Sequence, residues 1–271
     1  MIYLSQDRDI HDDLFGSLAQ PAQTIAIGDA AIAVGKYFLG FPYASNTLET
    51  KGRETLVINL REFDCFTFVE NVVALMCLLK KNRTGFNDYT RVLRYIRYRQ
   101  GILKGYSSRL HYFSDWLRDN TEKGVLQDIT RRAGGIRFRK RLTYMTAHKG
   151  CYSALNREKV YREMATIEKR LSRRLMCCAP KDKSAKFEES IKSGDVIAMT
   201  TDIEGLDVVH VGLALWLGKK LHLLHASEAQ KKVVISCESL NEYLAGRKTM
   251  TGIMIARLRP VGRNDGNRTS A

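Results

Sequence analysis

Phe63-Asp64-Cys65-Phe66-Thr67-Phe68-Val69-Glu70-Asn71-Val72-Val73-Ala74-Leu75-Met76-Cys77-Leu78-Leu79 is the stretch from which the fold can be read outward. Asp64 is a good N-cap residue, and Phe66, Val69, Val72, Val73, Met76 and Leu79 follow at helical spacing, so a helix should start here. Cys65 then falls in its first turn. A cysteine attacks a carbonyl carbon as its thiolate, and the positive end of a helix is expected to lower the thiol from its usual pKa of about 8.5. The free amides of that same turn can receive an oxyanion. Cysteines are also common as inert core residues, so this reading needs a base from elsewhere.

The histidines are His11, His111, His148, His210, His222 and His225. The segment 210–227 reads as a hairpin whose turn is Gly218-Lys219, glycine first, as a type II′ turn prefers. That turn sets Leu217 against Lys220, His225 against Gly212 and Ser227 against His210. His210 and His225 therefore share a face, with Gly212 leaving room, while His222 opposes Leu215 on the other face. Cys65 as nucleophile, His210 as base and His225 as the group that orients it form the candidate triad. A one-residue slip of register would bring in His222 instead.

Around these anchors, the apolar spacing in 22–39 predicts a helix stopped by Gly40, and Leu56-Val57-Ile58-Asn59-Leu60 predicts a short strand. Strands are also predicted at 194–199, 208–217, 221–226 and 252–258, and a basic helix at 157–175. One domain over 22–262 is expected, with a mainly helical, basic insertion at about 89–186. Residues 1–21 read as an N-terminal extension and 263–271 as a polar, disordered tail.

The 271 residues suffice for one sizeable core, and charges interrupt every apolar run before the ~18 residues that a membrane helix needs. No membrane span is expected. The start, 1–13, lacks the basic then apolar pattern of a Sec signal. Six cysteines without Cys-x-x-Cys spacing suggest reduced thiols, and neither zinc nor another cofactor is expected. Lysine and arginine outnumber acids 44 to 29, a formal charge of +15, with a dense run at 131–141. Such a surface favours anionic partners, although charge runs are mostly solvated surface; nucleic acid is not the expected partner.

Pro42-Tyr43, Phe63 to Glu70, Ser193-Gly194-Asp195, Gly205-Leu206-Asp207, His210-Val211-Gly212 and His225-Ala226-Ser227, in this order, resemble the NlpC-type amidases. With Arg109-Leu110-His111-Tyr112-Phe113-Ser114-Asp115-Trp116 the chain more closely resembles the AmiA-type N-acetylmuramoyl-L-alanine amidases. The resemblance implies an α+β fold with a papain-like core, the cysteine helix packed on an antiparallel sheet. It implies Tyr43 in the substrate groove and Asp64 supporting the helix start, and places His111, Tyr112, Asp207 and Ser227 among the candidate substrate-binding residues. The implied substrates are peptidoglycan fragments, in particular anhydro-muropeptides, cut between N-acetylmuramic acid and L-alanine. The alternatives are a γ-D-glutamyl-diaminopimelate endopeptidase and a non-catalytic basic module that binds anionic polymer. A wall substrate implies action in the periplasm or cell wall. The missing signal leaves three routes: a trimmed or mis-started leader, cytoplasmic recycling, or delivery as an antibacterial effector, which would imply an immunity protein as partner.

Overall fold

The computed structural model describes residues 1–259, apart from the side chains of residues 20–23, 184 and 185. The expected tail at 263–271 lies outside the described residues. In chain order the elements are α1 (Ser5–Thr24), α2 (Ile27–Tyr37), α3 (Cys65–Lys80), α4 (Phe86–Arg97), α5 (Phe113–Glu122), β1 (Leu126–Asp128), β2 (Ile136–Phe138), α6 (Tyr144–Ala147), α7 (Glu158–Ser172), β3 (Met176–Pro180) and α8 (Ser184–Glu188). They continue with β4 (Val196–Thr201), β5 (Val208–Leu217), β6 (Lys220–Ser227), β7 (Lys232–Ile235), α9 (Leu240–Ala245) and β8 (Met250–Leu258), with short 3-10 turns between some of them.

The strands make one sheet in the order β2-β3-β8-β4-β5-β6-β7, every pairing antiparallel, and β1 joins β8 at its far end, Leu126 against Leu258. The molecule is thus α+β, with helices set on an antiparallel sheet. Alternation along the central strands serves two cores, since side chains on a strand point to opposite faces in turn. Val196, Ala198, Val211, Leu213, Leu215, Leu224 and Ala226 belong to the core shared with α2 and α3. Ile197, Met199, Ala214, Leu221, Leu223 and Ile255 belong to the other, with Leu240, Tyr243 and Leu244 of α9.

Helix α3 is buried through every residue of 67–79, because α2 and α4 cover the sides that the sheet does not. It therefore also buries polar groups. Glu70, with no exposed surface, accepts from Arg97 Nε at 2.8 Å, and Arg97 Nη1 donates to the carbonyl of Val57 at 2.6 Å.

The strand expected at 56–60 is not found. Val57 makes one isolated bridge to Ile2, whose backbone bonds Leu56 O and Ile58 N–H, while Leu60 N–H goes to Asp7 Oδ1 at 2.8 Å and Val57 O to Arg97. Within 1–21, residues from Ser5 onward are helical, running on to Thr24, and Asp7 is fully buried where it accepts from Leu4 N–H, Leu60 N–H and Arg61 Nε. The stretch 89–186 holds the basic helix α7 as read, and it also contributes β1, β2 and β3 to the sheet. Among the described residues no helix is long and apolar enough to cross a membrane.

Candidate active site

Asp64 Oδ1 accepts from Thr67 N–H at 2.7 Å, and Thr67 Oγ1 accepts from Asp64 N–H at 3.0 Å, a reciprocal capping box worth about 1 kcal/mol to the helix start. This cap fixes where Cys65 stands. The cysteine is half-buried at the helix N-terminus, near β5, and the backbone of Val211, with that of Cys65 and Phe66, favours its thiolate. Burial first, and the Asp64 carboxylate second, nonetheless push the thiol up to about 12. The lowered thiol expected from the helix start is therefore not found, because loss of solvent around the sulfur outweighs the backbone groups that favour the thiolate.

The hairpin has the predicted register. Leu217 pairs with Lys220 and Leu215 with His222, around a turn in which Gly218 has φ +60°. A Cβ on Gly212 would lie 2.9 Å from the Cβ of His225, so only glycine lets that side chain cross the strand. His210 Nε2 and His225 Nδ1 stand 2.7 Å apart and share a proton, with the two rings perpendicular at 4.8 Å. His222 turns away, its Nδ1 on the carbonyl of Ser236 at 2.9 Å. Burial, then the neighbouring His225 and Arg247, bring His210 down to about 3; burial and Arg247 bring His225 down to about 4, against a smaller opposing pull from Glu238. Both rings are neutral at pH 7.

The other candidates divide. Tyr43 is stitched beside Cys65 by bridges of the loop to Phe63 and Lys232, and burial, then the Cys65 charge, raise its hydroxyl. His111 borders a small cavity of about 130 Å³ together with Asp64 and Phe66, its Nε2 on the carbonyl of Tyr106 at 3.0 Å. Tyr112 is placed differently: it is buried, and its hydroxyl donates to Glu168 of α7 at 2.7 Å, so it holds that helix down. Asp207, 1% exposed, accepts from Ser114 N–H at 2.8 Å and caps α5 from across the fold. Ser227 Oγ accepts from Gln230 N–H at 3.2 Å and closes the turn into β7. The structure thus pairs His210 with His225, sets Tyr43 and Asp64 beside Cys65, sets His111 on a neighbouring cavity, and gives the polar groups of Tyr112, Asp207 and Ser227 partners within the fold.

Two residues at the site have no counterpart in the sequence reading. Tyr243 of α9 stacks on His210 with centroids 5.9 Å apart at 23°, and meets His225 edge-on at 5.6 Å. The Arg247 guanidinium lies 3.3 Å from the Tyr243 ring centroid. A signal for α9 is present in the chain, since Ser239 and Glu242 form a capping box at its start.

A family model described as AmiA-like, N-acetylmuramoyl-L-alanine amidase-like, matches residues 33–253. An N-acetylmuramoyl-L-alanine amidase from Bacteroides uniformis is 38% identical and superposes with a TM-score of 0.82 over 86% of this chain and 99% of its own. A Bacteroides fragilis structure provisionally named a xylanase is 39% identical, with a TM-score of 0.78 over 83% of this chain and 100% of its own. A Legionella pneumophila protein at 20% identity shares the fold, with a TM-score of 0.70 over 94% and 97% of the two chains. No curated protein matches.

Proposed function

The chain belongs to the AmiA-like, N-acetylmuramoyl-L-alanine amidase-like family, and from that premise we propose that it is a cysteine amidase hydrolysing the bond between N-acetylmuramic acid and L-alanine in peptidoglycan fragments. Its nucleophile is Cys65, its base His210 and its orienting group His225, on a core of the papain-like, NlpC type. The observation that carries this reading is the 2.7 Å bond between His210 and His225, on a strand whose next residue, Val211, has its backbone beside Cys65. A proton on His210 Nε2, given to His225 Nδ1, leaves Nδ1 of His210 with its lone pair for the thiol.

With the thiol near 12 and His210 near 3, the resting pair is uncharged, and the proton leaves sulfur as attack proceeds. Cys65 Sγ bonds to the lactyl carbonyl carbon while its proton passes to His210. The oxyanion then falls within reach of the first-turn amides of α3. His210 returns the proton to the departing alanine nitrogen, the C–N bond breaks, and the same ring activates water to release the acyl group. Anhydro-muropeptides are the proposed substrates, and the periplasm or cell wall the proposed site of action. Glycosidase chemistry would need a pair of free carboxylates flanking the bond, whereas the carboxylate beside Cys65, that of Asp64, is held by Thr67.

Mass analysis of products from intact sacculi and from soluble anhydro-muropeptides tests the bond and the substrate size together. Free disaccharide and intact peptide are expected. A disaccharide still bearing L-alanine and D-glutamate would replace this reading with the γ-D-glutamyl-diaminopimelate endopeptidase.

The pH dependence has a definite sign. Protonating His210 or His225 removes the base, and their lowered pKa values put that loss below about pH 5 rather than near the 6.5 of a free imidazole. kcat/KM on a soluble muropeptide should stay level from pH 7 to 5.5. A half-maximal rate near pH 6.5, with the protein still folded by circular dichroism, would contradict the neutral pair.

A further inference from the structure

Helix α9 does more than close the sheet. Its capping box sets the start, and Leu240 and Leu244 are buried in the second core, so Tyr243 is delivered to the histidines by a short, anchored element. Its ring is 5% exposed, stacked on His210 and edge-on to His225. Arg247, just past the helix, lies over that ring, where a guanidinium is attracted to the aromatic face, and it is tethered by Nη1 to the Tyr243 carbonyl at 2.9 Å and to Glu238 Oε1 at 3.3 Å.

We propose that Tyr243 and Arg247 are positioning residues of the active site: Tyr243 is the wall against which the His210 ring is held, and Arg247 is a fixed cation that opposes positive charge on the two imidazoles. This rests on the amidase reading for its consequence, though not for its geometry. The charged and titratable groups acting on the imidazoles are each ring on the other across β5 and β6, Tyr243 from α9, Arg247 just past it and Glu238 from the segment before it, and Cys65 of α3 acts on Tyr243. Of these, Arg247 is the cation common to both rings, and Glu238 offsets it only at His225.

The consequence is chemical. When His210 takes the thiol proton, the Arg247 guanidinium, which lies over the Tyr243 ring stacked on it, makes the imidazolium a stronger acid than a free imidazolium. It therefore gives its proton readily to the departing amine nitrogen as the C–N bond breaks, and an amide has no better leaving group to offer without that proton. Tyr243 meanwhile limits rotation of the His210 ring, so that Nε2 stays on His225.

The test uses Arg247→Met, which keeps side-chain length without charge, and Arg247→Lys, which keeps the charge. Ring titrations of His210 and His225 by NMR are expected to rise by about one pH unit in Arg247→Met, since the substitution removes the cation that disfavours both imidazolium forms. They should stay near the wild-type values in Arg247→Lys, and the acid limb of kcat/KM should follow them. Unmoved titrations in a folded Arg247→Met protein would overturn the role of the charge. For Tyr243, the ring-current shift on His210 and the kcat should be kept in Tyr243→Phe and lost in Tyr243→Leu, kcat by about tenfold with KM little changed. A Leu variant with wild-type His210 shifts would overturn the wall. The NMR readouts need no turnover, so a wild type that cuts no muropeptide would sink the amidase reading and leave these outcomes to decide the inference separately.

Discussion

Cys65→Ala should fold as the wild type does and lose muropeptide cleavage by about 10⁴-fold or more, the scale on which removing a covalent nucleophile acts. The substitution deletes one sulfur from a half-buried position at a helix start whose cap is made by Asp64 and Thr67, so the helix keeps its N-terminus. The sulfur makes no side-chain bond on which another element depends; the groups that favour its thiolate are backbone already fixed by α3 and β5. Stability should thus change by no more than about 1 kcal/mol. Two measurements check this: mass-resolved turnover of a purified muropeptide, and a denaturant melt. Cleavage retained by a folded variant would remove Cys65 from the mechanism, whatever the fate of the histidines. Cys65→Ser separates chemistry from shape further. It restores a hydroxyl of similar size but lacks the nucleophilicity of sulfur, so it should remain close to the alanine variant.

Much of this arrangement was legible because its signals are local. Asp64 before an apolar stripe announces a helix start within four residues, and Gly218-Lys219 fixes the register of β5 on β6 without reference to the rest of the chain. What escaped the sequence depends on distant partners. β1 and β2 are three residues long and mostly exposed, so they lack the alternation by which a strand is read, and they pair only because β8 and β3 are there. The segment 56–60 has the opposite problem. It alternates like a strand, but it bridges only Ile2, and side chains of Asp7 and Arg97 take Leu60 N–H and Val57 O. Tyr112 and Asp207 are candidate substrate contacts from the sequence alone, yet their polar atoms face Glu168 and Ser114, and nothing in the spacing distinguishes a substrate contact from a strut. Asp7, read as part of a polar extension, is a buried anchor for the same reason.

The second large effect concerns the support beneath the nucleophile. Arg97→Met should destabilise the protein by about 3–5 kcal/mol, the range found when one partner of a buried ion pair is removed. Glu70 has no exposed surface, and burial raises its carboxyl more than Arg97 lowers it. Without Arg97 the carboxylate loses its 2.8 Å partner, and the Val57 carbonyl loses a donor at 2.6 Å. Against a total stability of about 5–15 kcal/mol such a loss is severe. The sign of its pH dependence follows from the raised carboxyl. In the variant Glu70 takes a proton more readily folded than unfolded, so the destabilisation should grow as pH rises above about 4.5 and shrink on acidification. The double variant Arg97→Met, Glu70→Leu removes both charges and should recover much of the loss, because an apolar pair of similar size costs little in place of a buried ion pair. Urea midpoints at constant slope measure all three proteins. A double variant no more stable than Arg97→Met would mean that the Val57 contact, rather than the stranded carboxylate, is what Arg97 supplies.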